Sequence, residues 1–263
     1  GYDEPRELLS QAEEKIFSIL AQRSSAEAKS IQSVIEDVMV RMDARLKPVP
    51  ALGGVETGFP DLDTLCGGLH NSELIILAAR PSMGKTALAM NIAEHISINS
   101  HQPVLFVSLE MASLELADRL LCSAAQVNGH RLRNGTISQE DRRRLVQKSS
   151  EIGSAPLYID DTPGRTLTEI AAVARRLKRK QGLSIIVIDY LQLIEPDNPR
   201  DPRQEQVARI ARRLKTMSRE LDIPILCLAQ LNSQAEVSRD NRPRLNHLRE
   251  SGAIEQDADL IVF

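Results

Sequence analysis

The residues with the most chemical content stand in the segment Ala79-Arg80-Pro81-Ser82-Met83-Gly84-Lys85-Thr86. It matches the pattern G-x-x-x-x-G-K-[ST], with Ala79 in place of the first glycine. Such a loop wraps phosphates with its backbone N–H groups and with the start of the helix that follows. Gly84 relieves the tight turn of a Cβ. Lys85 would reach the β- and γ-phosphates, and the Thr86 hydroxyl would ligate Mg²⁺. The expected ligands are therefore ATP and Mg²⁺, held by Arg80, Pro81, Ser82, Met83, Gly84, Lys85, Thr86 and Ala87.

Three further side chains end apolar runs. Asp189 closes Ser184-Ile-Ile-Val-Ile-Asp, the arrangement in which a carboxylate holds Mg²⁺ beside a phosphate loop. Glu110 closes Val104-Leu-Phe-Val-Ser-Leu-Glu, where a base for an attacking water would stand. Gln230 follows the run Ile223–Ala229, placed to sense the γ-phosphate and relay its loss. For Glu110 and Gln230 the plainer reading, a polar residue at a strand end, stays open on spacing alone.

These residues need a scaffold that brings strand ends together. Apolar runs at Leu74–Ala79, Val104–Leu109, Leu157–Ile159, Ile185–Ile188, Ile223–Leu228 and Leu260–Phe263 predict strands. Helical patterns lie between most of them, at Lys85–Ile98, Leu114–Ala125, Gln139–Ser150, Thr168–Gln181 and Gln204–Leu221. The alternation predicts an α/β fold, a mainly parallel sheet covered by helices on both faces. Ligands of such sheets bind outside the carboxyl ends of the strands.

Ahead of this domain, residues 6–22 and 31–42 carry apolar side chains at helical spacing, separated by Ser24 and Ser25. Lys47-Pro48-Val49-Pro50 reads as a hinge, because proline forbids helix. The expected organisation is a helical linker region at 1–47 and an ATPase domain at 48–263. An amphipathic helix without its own domain needs a partner surface, which is its own main domain in the plainer reading and a neighbouring subunit in the one favoured here. The chain stops inside an apolar run at Phe263, which suggests truncation there.

Composition narrows the class. The 263 residues carry a net charge of −3 and are 42% hydrophobic, enough for a real core. The apolar runs fall far short of the roughly 20 residues a membrane span requires. With no secretory pattern, a cytoplasmic protein is expected. Three cysteines without a C-x-x-C pair argue against disulfides and zinc. Aromatics are only 3%, so any nucleic acid would be held by its phosphates rather than by base stacking. The basic stretches Arg175–Lys180 and Arg142–Arg144 read as solvated helix faces.

The quoted residues resemble one family, the RecA-like motor domain of replicative DnaB-type helicases. Thr57-Gly58-Phe59, Leu62-Asp63 and Gly67-Gly68-Leu69 precede the phosphate loop as they do in that family. Ser108–Met111, Ile188–Leu193, Ala229–Asn232 and the distinctive Leu248-Arg-Glu-Ser-Gly-Ala-Ile-Glu-Gln-Asp-Ala-Asp259 follow in its order. The resemblance implies Glu110 as catalytic base, Gln230 as sensor and a P-loop RecA-like fold. It implies a homohexameric ring that moves 5′ to 3′ on single-stranded DNA. Arg249, Glu250 and Gly252 would touch the DNA backbone in the channel. Residues 8–22 would be the linker helix that docks on the adjacent subunit, and primase and a helicase loader would be partners.

Departures are visible too. The family's N-terminal helical domain and the hairpin with its arginine finger are not in this sequence, and Ser233 stands where many members have Arg. A RecA-type recombination filament and a regulatory ATPase without DNA share the phosphate-loop chemistry. The segment Arg249–Asp259 favours the helicase.

Overall fold

The computed structural model describes residues 30–45, 53–231 and 252–263. Contacts divide the chain into two units, residues 1–51 and 52–263. In the first unit a helix, α1 (Ile31–Arg45), covers the second predicted helical pattern. Its Ile31, Ile35, Val38 and Met42 are exposed. The predicted helix at 6–22 and the hinge at 47–50 lie outside the described residues.

The second unit opens with α2 (Pro60–Cys66) and β1 (Leu74–Ala79). Helix α3 (Lys85–Glu94) then passes through one π turn, His95–Asn99, into β2 (Val104–Ser108). Next come α4 (Ser113–Ala125), α5 (Gly129–Arg133), α6 (Gln139–Ser154) and β3 (Leu157–Asp160). Helix α7 (Leu167–Gln181) leads to β4 (Ile185–Asp189), and α8 (Arg203–Leu221) to β5 (Ile225–Gln230). After the segment 232–251 come α9 (Gly252–Asp257) and β6 (Leu260–Val262).

The six strands form one sheet in the order β3-β2-β4-β5-β1-β6, every pair parallel. From β1 to β3 the chain works toward one edge of the sheet, and from β3 to β6 it returns. Parallel connections cross over with one hand, so the outward and return helices fall on opposite faces.

The core obeys the same division. Leu74, Ile76, Ala78, Leu105, Val107, Ile186, Ile188, Ile225 and Cys227 pack with α7, α8 and Ile254 of α9. The alternate residues Ile75, Leu77, Val104, Phe106, Ile185, Val187, Leu226 and Leu228 pack with α3 and α4. Side chains alternate between sheet faces with period two, so a strand covered on both faces must be apolar throughout. That is why these strands read as unbroken apolar runs.

Helices α6 and α7 begin on capping boxes. Ser138 accepts from the Asp141 N–H, and Thr166 from the Glu169 N–H, while both acids reach back to the cap residue's own N–H. Such reciprocal bonds satisfy two orphan donors at once.

Candidate nucleotide site

The loop after β1 turns sharply into α3. Ser82 has φ 63° and Gly84 φ 89°, so the chain enters the left-handed region twice within three residues. A Cβ on Gly84 would meet nothing within 4 Å. The backbone conformation, not crowding, therefore calls for glycine there. Pro81, Ser82, Met83 and Gly84 are exposed, which leaves the loop open to a ligand. No side chain caps α3, and its first helical bond runs from Leu88 N to Gly84 O at 2.9 Å. The N–H groups of Lys85, Thr86 and Ala87 thus have no acceptor within the helix and suit an anion.

Asp189 lies at the centre of the site and is fully buried at the end of β4. Its Oδ2 accepts the Thr86 hydroxyl at 2.6 Å, and its Oδ1 stands 3.8 Å from Lys85 Nζ. That Oδ1 has no hydrogen-bond donor among the described residues. A buried carboxylate oxygen beside a threonine hydroxyl fits Mg²⁺, which takes few protein ligands and completes its shell with phosphate and water. Lys85 Nζ also lies 4.2 Å from the centre of the Tyr190 ring. Burial pulls the Lys85 amine below the ordinary lysine range, and the charges of Asp189 and Glu110 push it back up. The Asp189–Tyr190 peptide is cis.

Glu110 and Gln230 reach the site through strand register. Ser108 pairs with Asp189 across β2 and β4, and Leu109 N donates to Asp189 O at 2.7 Å. The Ser108 hydroxyl then bonds Met111 O at 2.6 Å and accepts from Met111 N, turning the chain so that Glu110 stands exposed beyond β2. Both Lys85 and Tyr190 feel its charge. Gln230 pairs with Ala79 across β5 and β1, so it sits beside the start of the phosphate loop. Lys85, Thr86, Asp189, Glu110 and Gln230 therefore share the carboxyl edge of one sheet.

Two residues were named in the sequence only as letters of a motif. Tyr190 is half-buried beside Lys85. Gln192 bonds the backbone of Gln230 in both directions, donating to its C=O at 3.1 Å and accepting from its N–H at 3.2 Å. Neither contact follows from spacing along the chain, because each joins different strands or loops.

Other motif residues prove structural. Asp63 accepts from the Thr57 N–H and hydroxyl, both at 2.9 Å, and from the Gly58 N–H. Gly58 has φ 82°, and a Cβ there would come within 2.5 Å of the His95 ring. Asp259 accepts from Leu74 N at 2.7 Å and pairs with Lys215, also at 2.7 Å, anchoring β6 beside β1. Arg249, Glu250 and Ser233 lie outside the described residues, and Gly252 opens α9. A cleft of about 560 Å³ between α3 and α4–α5 is lined by Met90, Leu120, Cys122 and Leu132, and of the predicted nucleotide-binding residues only Ala87 borders it. The basic helix faces are solvated as expected, with Arg175 paired to Glu220 and Arg144 to Asp141.

A parallel sheet with this loop, and with Asp189, Glu110 and Gln230 at one edge, defines the RecA-like P-loop class. The comparisons with known proteins make the class more particular. The model of the DnaB-like helicase C-terminal domain matches residues 54–263, and the chain belongs to that family. It is 39% identical over 262 residues to the replicative DNA helicase DnaC of Bacillus subtilis (strain 168), covering 99% of this chain and 58% of that protein. To the replicative DNA helicase DnaB of Treponema pallidum (strain Nichols) it is 44% identical over 256 residues, 97% of this chain and 58% of the other.

Solved structures agree. One of them, an ATPase domain, superposes with a TM-score of 0.84 at 37% identity, over 89% of this chain and 83% of that one. A DnaB-like replicative helicase described with its interactions with primase gives 0.80 at 36%, over 96% and 60%. The chain thus spans less than two thirds of the curated relatives' length. Among the described residues, no helix is long and apolar enough to cross a membrane.

Proposed function

We propose that this chain is the ATP-hydrolysing motor of a replicative DNA helicase, working as a six-subunit ring on single-stranded DNA. The observation that carries the reading is the meeting of Lys85, Thr86 and the buried Asp189 at the mouth of the phosphate loop. The names of its relatives support the rest.

In the proposed reaction the loop N–H groups and Lys85 hold the triphosphate and draw charge from its γ-phosphate. Thr86 and Asp189 would hold Mg²⁺, which neutralises charge on the β- and γ-oxygens when bound. Glu110, exposed and outside the strand edge, accepts the proton of the attacking water. Gln230 senses the γ-phosphate from the neighbouring strand. Arg249, Glu250 and the Gly252 backbone N–H contact DNA phosphates, with 5′ to 3′ movement carried over from the resemblance. Residues 8–22 dock on the adjacent subunit. Primase and a loader are the proposed partners, and the cytoplasm the proposed compartment.

The decisive experiment measures ATP turnover with and without single-stranded DNA in the full-length natural protein, with its mass determined in parallel. Stimulation in a six-subunit particle supports the motor. Turnover indifferent to DNA would leave the ATP site and remove the helicase. Lys85→Ala should abolish ATP-dependent activity, and retained hydrolysis would sink the site. Arg249→Ala should weaken single-strand binding and reduce its salt slope by roughly one phosphate contact. An unchanged slope would take Arg249 out of the DNA contacts.

A further inference from the structure

We infer that Gln192 is the positioning residue that straps the tip of β5, and with it Gln230, to the turn that follows Asp189. The inference rests on the helicase reading above and concerns the regulation of the same site.

The sheet itself leaves the need for a strap. The ladder between β4 and β5 ends at Ile188 and Cys227, while β5 runs on to Gln230. Beyond Cys227 the side of β5 that faced β4 has no ladder partner, and β4 itself ends one residue on at Asp189. At Gln230 the Gln192 side chain takes that place. Its Nε2 donates to Gln230 O at 3.1 Å and its Oε1 accepts from Gln230 N at 3.2 Å. A primary amide offers a donor and an acceptor in one plane, as a peptide does, so it can imitate one rung of a ladder. On the other side, Leu231 N donates to Ala79 O at 3.1 Å. The tip of β5 is thus held between the phosphate loop's first residue and the turn after Asp189.

The turn holding Gln192 is itself fixed. It is the 3₁₀ turn Leu191–Leu193, which begins two residues past Asp189. Leu191 is fully buried, and the Arg203 guanidinium donates to the Gln192 carbonyl. A change at Asp189 therefore reaches Gln230 along the backbone from Asp189 to Gln192 and through a single side-chain amide. No other residue type supplies this link. Glutamate lacks the donor in its ionised form, asparagine is one methylene shorter, and methionine fills the space without pairing.

The test uses Gln192→Met and Gln192→Glu in the full-length natural protein with Mg²⁺. Affinity for a fluorescent oligo-dT strand is measured with a non-hydrolysable ATP analogue and with ADP. Amide hydrogen exchange is followed in the peptide that contains Gln230. The ratio of the two affinities should fall by about fivefold or more in both variants, the lower end of ordinary coupling between sites. Exchange at Gln230 should quicken in Gln192→Met. An unchanged ratio, or equal weakening with both nucleotides, would overturn the coupling role. If the parent protein holds no DNA with either nucleotide, the helicase reading fails. The strap is then judged by exchange alone, and unaltered exchange rejects it.

Discussion

Lys85 answers two opposed demands. It must be charged to meet phosphate, yet burial pulls its amine below the ordinary lysine range. Asp189 and Glu110 favour the charged form, and the Tyr190 face at 4.2 Å adds an attraction to the ammonium. Because the pKa is lowered, the binding contribution of Lys85 is complete below the lowered value and is lost as pH rises through it. Affinity for an ATP analogue should thus fall at a pH beneath the usual lysine range, and calorimetric titration across alkaline pH reads this directly. Tyr190→Leu should move the fall lower by about half a pH unit, since an aromatic face is worth ~0.5–1 kcal/mol to a cation. Tyr190→Phe, which keeps the ring, should leave it in place. Equal behaviour of Leu and Phe would mean that the ring does not hold the charge. Lys85, Thr86 and Asp189 were legible in the sequence because their pattern is local. Tyr190 and Gln192 were not, because their partners come from other strands or loops.

At the scale of elements, the strands were readable because two-sided burial forces unbroken apolar runs, and β1 falls where its run predicts. The ends were less so: β4 and β5 continue to the polar residues Asp189 and Gln230, whose backbones still pair or whose strand still extends. Helices α2 and α5 went unread. Each is short, and α2 has only Pro60 at its start and Gly67 past its end to mark it. Capping is where element stability can be tested. The Thr166 backbone N–H, joined by its hydroxyl, holds the Glu169 carboxyl below the ordinary range. The box is therefore fully formed above the ordinary carboxylate range and is lost as pH falls through the lower folded value. Thr166→Ala should lower stability by about 1 kcal/mol, seen as an earlier urea midpoint with an unchanged slope. An unmoved midpoint would show that water replaces the cap without cost.

At the scale of the molecule, one carboxylate ties the last strand to the first. Asp259 accepts from Leu74 N, returns its own N–H to Leu74 O at 2.9 Å, and pairs with Lys215 of α8. Asp259→Asn keeps an acceptor for Leu74 but gives up the ion pair. It should cost up to about 1 kcal/mol, the range for a partly exposed ion pair, and speed amide exchange in β6. Exchange unchanged in β6 would show that the backbone ladder suffices.

The strand order has a consequence for how the protein is made. Both neighbours of β1 come from the far end of the chain, with Leu74 beside Ile225 and Ile75 beside Leu260. As the polypeptide leaves the ribosome, Leu74–Ala79 has no strand to join until β5 and β6, far later in the sequence, have followed. An uncovered apolar strand with two open edges is exposed to aggregation during that interval. The phosphate loop is anchored on β1, so competence to bind nucleotide should appear only once β5 and β6 have joined it.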